Sequence, residues 1–64
     1  MTQKELSYLE DALNHEISII SICQEMTKNL TSQDLISFIE EEITKHQDNK
    51  TKLMNIMEDK ANDW

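Results

Sequence analysis

The chain has 64 residues, a net charge of −7 and neither glycine nor proline. At this length a core barely offsets the conformational entropy lost on folding, and the tight turns of sheets, barrels and phosphate-cradling loops have no residues to build them. The six basic residues are all lysines, spread along the chain against thirteen acidic ones. Such a surface repels phosphate backbones and anionic headgroups, so neither nucleic acid nor membrane is an expected partner.

Thr2 followed by Glu5 fits a capping box, in which hydroxyl and carboxylate each satisfy an orphan backbone N–H. From there Leu6, Leu9, Leu13, Ile17, Ile20, Cys23, Met26 and Leu30 recur every three or four residues, predicting an amphipathic helix over about 3–29. The run "ISIISIC" from Ile17 is too short and too serine-rich to cross a bilayer. Residues 1–15 lack the basic start of a signal peptide. Cys23 is the one cysteine, with Ile20 and Ile22 beside it, and reads as a buried thiol in a reducing, cytoplasmic setting.

"NLTSQD" gathers short polar side chains that suit turns and caps. It predicts a turn at 30–32, with Thr31 or Ser32 capping a second helix over about 33–60. Leu35, Phe38, Ile39, Glu42, His46, Asn49, Leu53, Ile56 and Met57 share a stripe there. The last four residues, "ANDW", are expected to fray, with Trp64 closing the end of a bundle or, as the alternative, anchoring a partner.

Two helices of equal length joined by so short a connector fold back antiparallel. The expected fold is therefore all-α, a two-helix hairpin forming one domain. A lone hairpin leaves much of each stripe wet, so a homodimer in a four-helix bundle is the leading assembly, with a monomer or a hetero-complex as alternatives. Leu13, Ile20, Ile39, Leu53 and Ile56 are the expected interface residues, and Met54 and Met57 suit irregular gaps.

Glu16 and Glu42 stand where the stripes call for apolar residues, with His46 and Asn49 in line with them, whereas Glu40 and Glu41 look outward. Glu41 and Lys45 form a favourable i,i+4 pair. Inward carboxylates need a partner or a cation. Three readings stay open: a metal held by Glu16, Glu42 and His46, a hydrated polar layer that fixes register, or a rotated helical phase that puts these groups at the rim. His15 reads as a surface residue. No catalytic constellation stands out and no cofactor is expected: Ser18 and Ser21 have no convergent base or oxyanion loop.

"TQKELSYLEDALNHE", "LISFIEEEITKHQ" and "KLMNIM" together resemble the small coat F-like spore coat proteins, which are ferritin-like helical proteins. The resemblance matches Glu16 and His46 to family positions; a second family histidine is replaced here by Asn49. It implies a non-enzymatic structural or assembly protein, cytoplasmic and then deposited on the spore. "NLTSQDLISFIEEEITKH" also resembles the hairpin of sporulation checkpoint inhibitors, which implies binding to a sensor histidine kinase as the alternative. A third reading is an acidic hairpin phosphatase of a response regulator, whose "SQELD" motif is matched here only by "SFIEE".

Overall fold

The computed structural model of the chain describes residues 1–60, so the expectations for "ANDW" and Trp64 lie outside the described residues. It is a hairpin of two helices that pack against each other, α1 over Gln3–Asn29 and α2 over Gln33–Lys60. The backbone measures 49 × 15 × 11 Å, a slab one helix thick. Each helix therefore has a single neighbour, and among the described residues only Ile20 and Cys23 are buried, at 8% and 9% exposure.

The helix ends follow from side chains. At the start of α1 the Thr2 N–H donates to Glu5 Oε1 at 2.8 Å, and the Glu5 N–H donates to Thr2 Oγ1 at 3.1 Å, so two orphan donors are satisfied reciprocally. The helix stops at Leu30, whose backbone is extended (φ −92°, ψ 144°) and whose N–H still reaches the Met26 carbonyl at 3.1 Å. No described residue has a positive φ, so the reversal is made without the left-handed cap that glycine usually supplies. At the start of α2 the Ser32 hydroxyl accepts the Leu35 N–H at 3.5 Å.

The Thr2 backbone N–H, followed by the Thr2 side chain, holds the Glu5 carboxyl below the usual carboxylate range. A depressed folded pKa contributes stability that is complete above the unfolded value and is lost as pH falls through the folded one. Glu5→Ala, which removes the carboxylate that the Thr2 N–H donates to, is expected to lower the melting temperature at pH 7 by several degrees. The gap between variant and wild type should narrow on acidification below about pH 4. A gap that stayed constant down to pH 2 would leave the cap carboxylate without a role.

The seam between the helices is narrower than the stripes in the sequence. On α1 it holds Leu6, Leu9, Leu13, Glu16, Ile20, Cys23 and Thr27; on α2 it holds Ile36, Ile39, Glu42, Ile43, His46, Lys50, Leu53 and Met57. Of the expected stripe members, Ile17, Met26, Leu35, Phe38, Asn49 and Ile56 are exposed. One neighbouring helix covers only a narrow arc, whereas the apolar residues here span two overlapping arcs. Leu13, Ile20, Ile39 and Leu53 thus line the seam inside the hairpin, and Ile56, expected with them, stays outside it.

Candidate functional site

Two features stand out: a polar network inside the seam and an apolar face outside it. The network is built from one residue of α1 and four of α2. His46 Nδ1 meets Glu16 Oε2 at 2.5 Å across the hairpin, and because a carboxylate only accepts, the imidazole proton sits on Nδ1. Asn49 Nδ2 donates to the other oxygen, Glu16 Oε1, at 3.4 Å. His46 Nε2 lies 4.0 Å from Glu42 Oε2, and Lys45 Nζ donates to Glu42 Oε1 at 3.2 Å. Lys45 therefore pairs with Glu42 one turn back, and not with Glu41 as the i,i+4 spacing suggested.

Glu16, Glu42 and His46 thus come together, but as links in a chain. Glu16 occupies one ring nitrogen and Glu42 faces the other, on the opposite edge of the imidazole. A single ion takes one nitrogen of a histidine, so this geometry does not aim all three side chains at one point. Among the described residues no group of three His, Cys, Asp or Glu side chains is placed to hold a metal. His15 is exposed.

Glu16 is half-buried, with 17% of its side chain exposed, and so is His46 at 24%. Glu16 is the one α1 member, and sliding α2 by a turn would set its carboxylate against Glu42 or Lys50 in place of His46, breaking the bonds it receives from His46 and Asn49. The network therefore sets which residues of the two helices lie opposite each other. Removing one member is costly and removing the whole pair is not. Glu16→Ala is expected to lose about 1–3 kcal/mol in urea unfolding because His46 and Asn49 are left unmatched. The double variant Glu16→Leu/His46→Leu is expected to match or exceed the wild type. A single variant as stable as wild type would remove the network from the energetics of the fold.

Outside the seam, Tyr8 and Met26 on α1 are eighteen residues apart, as are Phe38 and Ile56 on α2. Eighteen residues make five full turns, so each pair lies on one line along its helix. A shallow groove of about 490 Å³ lined by Met1, Glu5, Tyr8, Leu9, Ile56 and Lys60 joins the two lines, placing them on one face of the hairpin. A second groove, of about 350 Å³, lies at the turn end between Ile22, Glu25, Met26, Asn29 and Leu30. Along this face Tyr8, Ile22 and Phe38 are 61%, 60% and 56% exposed, and Leu35, Met26 and Ile56 are exposed as well. Lys4 Nζ stands 6.0 Å from the Tyr8 ring centroid.

The opposite face of α1 carries Gln3, Glu10, Asn14, Ser21, Gln24 and Lys28 around Ile17. That of α2 carries Glu40, Gln47 and Glu58 with Met54. Among the described residues, one flank of the slab thus carries six of the eight exposed large apolar side chains, and the other carries Ile17 and Met54 among polar groups.

Neither groove is lined by Glu16, Glu42 or His46, so the carboxylate–imidazole pair does not open onto either. Among the described residues no helix is long and apolar enough to cross a membrane. Comparison with protein-family models, curated proteins and solved structures finds no match.

Proposed function

We propose that this chain is a non-enzymatic assembly protein that works as a homodimer, two hairpins packed face to face in a four-helix bundle. The observation that carries this reading is the uncovered apolar face of Tyr8, Ile22, Met26, Phe38 and Ile56. The chain exposes 4862 Å², whereas a folded monomer of 7.5 kDa is expected to expose about 4,250 Å². The excess is comparable with the roughly 800 Å² that each partner contributes to a standard interface. A flank that gathers most of the exposed apolar side chains is what one further layer would cover. The coat F-like resemblance supports the assembly role, and the hairpin itself is the element such an assembly would use.

Sedimentation equilibrium tests this reading. A mass of two chains is expected in the micromolar range, tightening as salt rises, because two copies of charge −7 repel and salt screens that repulsion. A monomer at high micromolar concentration in both low and high salt overturns the homodimer. Stoichiometric capture by the dimerisation domain of a sporulation sensor kinase, with no self-association, would favour the regulator reading instead.

A further inference from the structure

We infer that the two copies pair antiparallel, with their turns at opposite ends of the bundle, so that the aromatic of one copy seats over the groove at the far end of the other. This rests on the homodimer proposed above and adds which way round it is built.

The apolar face is not uniform along its length. Each end carries a groove and a protruding ring: Tyr8 flanks the open-end groove, and Phe38 lies toward the turn end, where the second groove is. Ring and distant groove are separated by about 27 Å, the length of five turns. The middle of the face is polar, with His15 on α1 and Lys45, Asn49 and Lys52 on α2. Turning one copy end for end about a two-fold axis through that middle sets Tyr8 against the groove at the partner's turn end and brings Phe38 toward the partner's open end.

The register of the two stripes supports one such axis. On α1 the face runs Tyr8, Ala12, His15, Ile19, Ile22, Met26, centred at the level of Ile17. On α2 it runs Leu35, Phe38, Glu42, Lys45, Asn49, Lys52, Ile56, centred near Lys45. The contact between Glu16 and His46 marks one level of the hairpin. Ile17 and Lys45 each stand one residue from it toward the turn, so the two centres share a level. A single axis then serves both helices.

About that axis Tyr8 faces the partner's Met26 and Ala12 faces the partner's Ile22, while Leu35 faces the partner's Ile56. Phe38 meets the stem of the partner's Lys52, a contact that also suits a cation over a ring. Lys45 alone meets its own copy, the partner's Lys45, and each of these lysines carries a counter-ion from its own chain, Glu42 at 3.2 Å. Such an interface is isologous: both ring-and-groove contacts form at once and the pair is closed. With the turns at the same end, α1 would instead lie over α2 at equal level, ring beside ring and groove beside groove.

Disulfide trapping separates the arrangements, since a bridge forms only where Cα atoms approach within about 7 Å. The full chain carries Cys23→Ala, or Cys23→Val if the alanine variant loses helicity or self-association, so that each added cysteine is the only thiol. Lys45→Cys alone is expected to run mostly as a covalent dimer after mild oxidation. Tyr8→Cys and Met26→Cys are expected to cross-link when mixed and to remain uncrosslinked when oxidised separately. Cross-linking of Tyr8→Cys with Ile56→Cys, and none through Lys45→Cys, overturns the antiparallel arrangement in favour of turns at one end. A dimer by sedimentation that none of these pairs traps shows that another face is used and also overturns it. A monomer in sedimentation removes the homodimer itself, a distinct failure.

Discussion

Replacing Phe38 by glutamate is expected to weaken the proposed dimer about a thousandfold. A buried aromatic anchor contributes about 2 kcal/mol or more to an interface, and two-fold symmetry counts each substitution twice, so ~4 kcal/mol is lost from association. The new carboxylate adds to the repulsion between chains that already carry −7 each. Within the hairpin Phe38 is 56% exposed and lies outside the seam, and glutamate is a good helix former. The variant should therefore keep the helical circular dichroism of its folded state while sedimenting as a monomer at concentrations where the wild type is paired. Dimers of undiminished affinity would mean that this ring is not in the interface.

Ile20→Ala is expected to act on the other level, inside the hairpin. Ile20 is one of two buried apolar residues in the seam, one turn from Glu16, and truncating a buried isoleucine costs about 2–5 kcal/mol through lost transfer free energy and the cavity left behind. A chain of 64 residues has a total stability of roughly 3–10 kcal/mol. The loss is thus a large share of the whole, and urea unfolding should shift to much lower denaturant or leave no folded baseline. Ile17→Ala, one turn away but 45% exposed, supplies the contrast and is expected to change stability far less. Equal effects at the two positions would contradict the seam.

The contrast between these positions also marks how far the amino-acid sequence can be read. The two helices and the reversal between them were legible because their signals are local: the Thr2–Glu5 box, the polar connector and the three-and-four spacing of apolar residues. The inward turn of Glu16, Glu42 and His46 was one of two phases the spacing allowed, the other setting them at the rim, and their half-burial selects it. What spacing alone did not resolve is which of two apolar arcs faces the sister helix. Ile36 and Ile43 belong to the seam, and Leu35, Phe38 and Ile56 do not, although all lie near the same stripe. That choice depends on how the helices rotate against each other, a tertiary quantity set in part by the Glu16–His46 contact. Likewise a list of candidate ligands does not say on which edge of an imidazole each carboxylate will stand.

The more polar flank of the slab has a consequence for how large an assembly can become. If two apolar flanks join as proposed, the outward flanks of the pair are those built from Gln3, Glu10, Asn14, Gln24, Glu40 and Glu58, mostly hydrated and mutually repelling around the exposed Ile17 and Met54. In the proposed pair, lateral growth would therefore stop at two layers. Incorporation into anything larger would have to proceed through the tips of the rod, making the pair a strut and not a tile.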